Sequence, residues 1–302
     1  MVAQRELGSR LAQPGHVAIR AMLARVMVPA ESGDAAAAGW RVLNRANWDD
    51  RVPIHLASRF YDLEDFRKTR DSLRKFEPAE AGDVRGKDLV HLQCHIGLDT
   101  LSWAGRGARA SGLDFSVPAI EAARGLAAEL GISASFVTSD VYDAPAAFGG
   151  QRFDIVYTGI GALCWLPDIP RWARLAAELL RPGGFLYLVE AHPFSGVLDD
   201  QTGLVISRDY FDDTPRLESC PYTYTDGDAE LAHPTQVEFP HTMGEILTAL
   251  TQAGLRLEFL HEHDFDLFAR FESLHRTEDG TWRFPPGRPR VPMLYSLHAS
   301  RA

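Results

Sequence analysis

Between residues 86 and 193 short apolar runs alternate with amphipathic stretches, and that alternation restricts the chain to a parallel sheet with helices on its faces. Parallel neighbours need a crossover connection, which a helix supplies while satisfying its own backbone. The strands read "DLVHLQC", "ARASGLDF", "SASFVTSD", "FDIVYTGI" and "FLYLVEAH". Between the first two, "DTLSWAGRG" is a short helix ended by glycine. "SVPAIEAARGLAAELG" is punctuated at both ends, with Ser116 as N-cap, Pro118 in the first turn and Gly131 past the end. "DIPRWARLAAELLRPGG" puts Trp172, Leu175, Ala176, Leu179 and Leu180 on one helical face before Pro182 and two glycines stop it.

The flanks complete the plan. Residues 1–85 read as a helical N-terminal cap, with Ala18, Ile19, Met22, Leu23, Val26 and Met27 as one apolar stripe that offers a route to a homodimer. "GDAAAAGW" suggests a hinge, and "NWDDRVPIHLASRFYDLEDF" places Pro53 at a helix start with Ile54, Ala57, Ser58 and Tyr61 along one face. The sheet domain is 86–302, interrupted once by an insertion at 194–241 that carries Tyr210, Phe211, Tyr222, Tyr224 and the turn-forming Asp226-Gly227. A helix closed by Gly254, a sixth strand and "PMLYSLHAS" as a seventh follow. The fold class is therefore α/β, a doubly wound seven-stranded Rossmann-like sheet with a helical cap and a strand-containing insertion.

Charge and cysteine usage exclude several functions. A formal net charge of −10 with no basic cluster argues against a nucleic-acid partner. Cys94, Cys164 and Cys220 are too scattered for a disulfide framework or a cysteine-based zinc site, and no metal is expected. No signal-peptide pattern and no long apolar run occur, so the expectation is a cytoplasmic protein without a membrane partner.

In open α/β sheets ligands bind beyond the carboxyl ends of the strands, where strand order reverses. There the first strand ends in "QCHIGLD", whose Gly97 permits close backbone approach to a ligand. Asp114 ends the second strand at a spacing that suits ribose hydroxyls, and Ser139-Asp140 at the end of the third suits an exocyclic amine. Gln93 and His95 stand where a pyrophosphate loop needs glycine, so the pattern favours an adenosine whose far end is not a phosphate.

With "VHLQCHIG", "GLDFS", "FDIVYTGIGALCWL" and "LLRPGGFLYLVE" in place, the chain resembles the class I S-adenosylmethionine-dependent methyltransferases over about residues 86–193, with His91 in place of the first motif's acid. The resemblance implies a seven-stranded sheet whose last strand is antiparallel, and S-adenosylmethionine as cofactor with S-adenosylhomocysteine as product. It implies that Gln93, His95 and Gly97 line the methionine end and Asp114, followed by Phe115, the ribose. Ser139, Asp140 and Val141 would meet the adenine, and Thr158 and Gly159 would pass beneath the sulfonium.

Methyl transfer then needs a small-molecule acceptor held in line with the methyl group and, for a protic nucleophile, a base. His192 after the fifth strand is the leading candidate for that base, with Glu190 beside it to orient substrate or histidine. Tyr61 and Tyr210 are candidate pocket walls, as is Trp165. The aromatic insertion and the cap suggest a small aromatic or heterocyclic acceptor, such as a specialised metabolite. Two other classes share the fold: a non-catalytic S-adenosylmethionine-binding protein and a nicotinamide-dependent oxidoreductase. His233 and His241 read as surface-loop residues, and His261 and His263 share a strand face.

Overall fold

The computed structural model describes residues 26–27 and 33–302. In chain order its first elements are β1 (Val26–Met27), α1 (Gly33–Ala57), α2 (Leu63–Thr69), α3 (Phe76–Ala81), β2 (Asp88–Leu92), α4 (Leu98–Gly105), β3 (Arg109–Asp114) and α5 (Val117–Leu130). They continue as β4 (Ala134–Thr138), α6 (Ala144–Ala147), β5 (Phe153–Thr158), α7 (Ile169–Leu179) and β6 (Leu180–Ala191). The remainder is β7 (Arg216–Ser219), β8 (Thr235–Glu238), α8 (Met243–Gln252), β9 (Leu255–His263), β10 (His275–Arg276), β11 (Trp282–Arg283) and β12 (Leu294–Arg301).

Two compact units emerge, and each is built on its own sheet. The larger unit, Leu63–Glu190 with His241–His261 and Tyr295–Ala302, holds most of a seven-stranded sheet of order β4-β3-β2-β5-β6-β12-β9. β2 pairs in parallel with β3 on one side and β5 on the other, so the strand order reverses at β2. Both faces of these central strands are covered, as an all-apolar parallel strand requires. On one face Leu89, Trp103, Tyr157, Tyr187 and Val189 form a buried cluster. The caps expected for α5 are present: Ser116 Oγ accepts from Ala119 N, and Gly131 closes the helix at φ 64°. Asp168 caps α7 in the same way through Arg171 N.

The smaller unit contains the described residues up to Asp62, Ala191–Pro240 and Glu262–Leu294. It holds a three-stranded sheet, β1-β7-β8, the β10-β11 hairpin and an apolar cluster of Leu198, Phe271, Leu274 and Met293. The buried positions of α1 whose burial is described are Trp40, Asn44, Asn47, Arg51, Val52 and His55, a helical stripe that is mostly polar. Asn44 substitutes for a strand edge: its Nδ2 donates to Val237 O and its Oδ1 accepts from Val237 N, both at 2.8 Å. Asn47 Nδ2 donates to His233 O, and Arg51 donates to Gln236 Oε1 at 2.5 Å. Hydrogen bonds to β8 and the strand's approach offset much of the cost of burying these polar groups, though Asn47 Oδ1 has no partner among the described residues.

Several sequence expectations change. "GDAAAAGW" is no hinge but the start of α1, and Pro53 lies inside that helix rather than at its beginning. Pro53 faces solvent, where water can satisfy the carbonyl its ring leaves unpaired. Ala57 is exposed, so the buried face runs through Arg51 and His55 and not through the apolar residues chosen from periodicity. Of the stripe at 18–27, residues 18–25 lie outside the described residues, while Val26–Met27 form a strand paired with β7. The sheet is interrupted twice, since residues 264–293 between β9 and β12 make a second excursion. Residues 63–85, read with the cap, cluster with the large sheet. Among the described residues no helix is long and apolar enough to cross a membrane.

Candidate active site

The carboxyl edge of β2 is shaped by backbone conformation. Gln93, His95 and Gly97 all take positive φ, at 58°, 49° and 80°. The left-handed region costs an ordinary L-residue roughly 1–2 kcal/mol, so two of the three residues are held there against their own preference. The loop enforces it through hydrogen bonds: Cys94 N donates to Leu113 O, His95 N to Asp114 Oδ2 at 2.8 Å, and Gly97 N to Cys94 O. Glycine is essential only at the third position. A Cβ on Gly97 would lie 2.7 Å from Ala123 Cβ and 2.8 Å from Phe136.

The remaining cofactor candidates share this edge of the sheet unit. Asp114 is buried and accepts from His95 N and Ser116 N. Phe115 follows it, half-buried. Asp140 Oδ1 accepts from Tyr142 N and so caps the short turn that begins at buried Val141, while Ser139 N donates to Asp114 O. Thr158 ends β5 fully buried, and its Oγ1 has no hydrogen-bond partner among the described residues. The same is true of Gln93 Oε1, although Gln93 Nε2 donates to Ala162 O. Two orphaned polar atoms on one edge fit a polar ligand, because an unsatisfied buried group costs about 1–3 kcal/mol.

Glu190 has a definite task. Its carboxylate accepts from Gly161 N, Ala162 N and Leu163 N at 2.6, 2.8 and 3.0 Å, fastening the turn after β5. That turn also holds Trp165, whose indole donates to Gly161 O.

His192, Tyr61 and Tyr210 belong to the smaller unit, in three separate settings. His192 caps the turn that follows β6: its Nδ1 accepts from Phe194 N, and its Nε2 lies 3.0 Å from Glu262 Oε1. Burial lowers its pKa, and Glu262 opposes that shift. Tyr61 Oη meets Tyr224 Oη at 2.5 Å, with the His55 ring 4.9 Å from each. Tyr210 packs edge-on against Phe211, which is 79% exposed. Of the other histidines, His233 pairs with Asp50, His241 bonds Leu166 O and Glu245, and His261 meets Glu80. Among the described residues no group of three or more histidine, cysteine or acidic side chains is placed to hold a metal.

Sequence reasoning missed a buried polar network beside β2. Glu77 of α3 is fully buried, accepts from Tyr157 Oη at 2.6 Å and from Arg74 N, and Arg74 Nη1 lies 3.4 Å from both Glu77 and Asp99. Asp99, in the first turn of α4, also accepts from Ser72 Oγ at 2.5 Å. His91 lies in the same cluster, with Nδ1 2.9 Å from Thr100 Oγ1 and its ring 4.6 Å from that of Tyr157. Burial pushes the imidazole down to about 4 and pushes the Glu77 carboxyl and the Tyr157 hydroxyl up. The available signal was Asp99 itself, an acid just after Gly97 at a helix start.

Comparison with known proteins agrees with this geometry. Residues 90–184 match the model of the family described as "Methyltransferase domain". The ubiquinone biosynthesis O-methyltransferase of Escherichia coli O127:H6 is 34% identical over 136 residues, 44% of this chain and 56% of that protein. The Escherichia fergusonii enzyme of the same name shows the same identity and coverage. The chain thus spans about half the length of the curated relatives it matches. Among solved structures, an S-adenosylmethionine dependent methyltransferase from Mesorhizobium loti superposes with TM-score 0.51 at 23% identity, covering 75% of this chain and 96% of that one. Magnesium protoporphyrin IX methyltransferase from Synechocystis PCC 6803, solved with bound SAH, gives 0.51 at 15% identity over 90% of this chain and all of its own. At such identities the structural likeness speaks for the fold alone.

Sheet order, loop conformation and matches together define the class: this is a protein with the class I S-adenosylmethionine-dependent methyltransferase fold.

Proposed function

We propose that this protein transfers a methyl group from S-adenosylmethionine to a small aromatic or heterocyclic acceptor at oxygen, nitrogen or carbon. The observation that carries the reading is the loop 93–97, whose backbone is left-handed at alternate positions even where two of them are not glycine. A chain that tolerates this strain beside a ribose-type acid, Asp114, and beside orphaned Gln93 Oε1 and Thr158 Oγ1 supports an adenosyl ligand across the β2 edge. The O-methyltransferase relatives favour oxygen as the accepting atom.

S-adenosylmethionine supplies an electrophilic methyl group on a sulfonium. In this reading Asp114 accepts from the ribose, Gln93 and Gly97 line the methionine end, and Glu190 keeps the 161–163 turn in place. Placement of the nucleophile contributes most of the rate. His192 is the weaker part of the proposal as a base. With Nδ1 accepting from Phe194 N, its proton sits on Nε2 toward Glu262, and deprotonating an acceptor requires that arrangement to change.

The test is thermal unfolding of the protein with S-adenosylmethionine, S-adenosylhomocysteine or NAD, followed by an acceptor screen for methyl transfer from the first. A ligand bound only by the native state adds about 2.7 kcal/mol at a hundredfold excess over its Kd. Stabilisation by both adenosyl sulfur compounds and turnover of a phenolic acceptor is the expected result. Stabilisation by NAD alone overturns the cofactor, and binding without turnover on any acceptor leaves a non-catalytic binder.

A further inference from the structure

The cluster missed by sequence reasoning gathers several hydrogen-bond acceptors around Asp99. Arg74 lies 3.4 Å from both Glu77 and Asp99, and burial pushes the Glu77 carboxyl up, toward its neutral form. Tyr157 and His91 bring no compensating charge, since burial keeps both in their neutral forms near pH 7. An acid partly withdrawn from water beside neutral acceptors favours a positive group that can donate to all of them.

The geometry of that demand is specific. Gly159, directly after β5, is the point toward which three polar atoms turn: a Cβ built on it would stand 3.5 Å from each of Asp99 Oδ2, His91 Nε2 and Tyr157 Oη. All three can accept a hydrogen bond, His91 in the tautomer whose Nδ1 carries the proton and donates to Thr100 Oγ1. Asp99 is a carboxylate, and Tyr157 spends its proton on Glu77 and keeps its oxygen lone pairs. His91 is 4% exposed, its Nδ1 is engaged by Thr100, and its Nε2 has no hydrogen-bond partner among the described residues. An ammonium has three donors and no acceptor.

We infer that Asp99, His91 and Tyr157 form a tripod for a primary ammonium group, and that in this protein it receives the α-ammonium of S-adenosylmethionine. The inference rests on the cofactor reading above and assigns residues outside the glycine loop. It also accounts for the histidine at position 91. The acid that the resemblance places on the strand is supplied here from α4, eight residues further along, and the strand position contributes a neutral acceptor instead.

Calorimetric titration of the full chain with S-adenosylhomocysteine and 5′-methylthioadenosine tests this, because the second compound keeps the adenosine and sulfur but lacks the amino acid. The wild type should bind S-adenosylhomocysteine more tightly by about tenfold or more, the worth of charge-assisted hydrogen bonds. Asp99→Asn should weaken S-adenosylhomocysteine by about tenfold and leave methylthioadenosine within about twofold. His91→Phe, which keeps a ring against Tyr157 but removes Nε2, should act in the same direction and serves if the first variant does not fold. Equal affinities for the two compounds in the wild type, or equal losses for both in either folded variant, overturn the tripod as a purely structural network. A wild type that binds neither compound overturns the cofactor reading and the tripod with it.

Discussion

Two buried histidines, one in each unit, have nearly the same immediate neighbours. His55 of α1 is fully buried, with Nε2 2.7 Å from Thr223 Oγ1 and its ring 4.9 Å from that of Tyr61. His91 of β2 is 4% exposed, with Nδ1 2.9 Å from Thr100 Oγ1 and its ring 4.6 Å from Tyr157. Their surroundings diverge beyond that. His55 sits on a helix whose polar stripe, Asn44, Asn47 and Arg51, is tied to β8 and the chain leading into it. His91 ends a strand at the switch point, beside two carboxylates and one guanidinium, with a ring nitrogen turned toward a glycine. A buried histidine bonded to threonine is therefore uninformative alone; what converges on its other nitrogen separates a packing role from a binding one.

The difference can be broken most severely at the loop. Gly97→Ala brings a Cβ to 2.7 Å from Ala123 Cβ at φ 80°. Overpacking and left-handed strain together should cost about 4 kcal/mol in urea denaturation, and a loss under about 1 would mean that the edge is less rigid than described.

His91 gives the next effect. Its folded pKa of about 4 lies below the ordinary histidine value of 6.5, so between those values the unfolded chain binds more protons and stability rises with pH. The contribution is complete above pH 6.5 and is lost as pH falls toward 4, about 3 kcal/mol in all. His91→Gln should flatten the stability profile across that window, and an unchanged slope would assign it to other groups.

In the smaller unit, Asn44→Ala strands the N–H and C=O of Val237 and should cost about 2 kcal/mol by the same denaturation assay. A neutral result would show that the polar stripe of α1 is replaceable by packing. The smallest change goes the other way. His95→Gly removes an L-residue from φ 49° and should stabilise by about 1 kcal/mol or less, whatever it does to cofactor affinity.

Much of this was readable in advance, for different reasons in different places. The strands β2, β5 and β6 follow from apolar runs largely buried on both faces, and α5 from its serine cap, proline and closing glycine. That Asp114 and Gly97 lie at the carboxyl edge of the sheet was legible because both directly follow or end strands that flank the switch point. The face of α1 was misjudged because periodicity assumes that apolar residues turn inward, whereas Asn44 and Arg51 are carried inside by hydrogen bonds to strands almost two hundred residues away. The second excursion went unseen because β10 and β11 are two residues each, too short to show alternation.

The sequence by itself determined the sheet and its helices, since each depends on patterns within a window of ten to twenty residues. Only the tertiary structure decided that Gln93 and His95 take a glycine's conformation, that Glu190 fastens the turn after β5, and that Asp99, His91 and Tyr157 converge on Gly159. Those features depend on hydrogen bonds and charges brought together from separate elements, and proximity of that kind has no period in the chain to betray it.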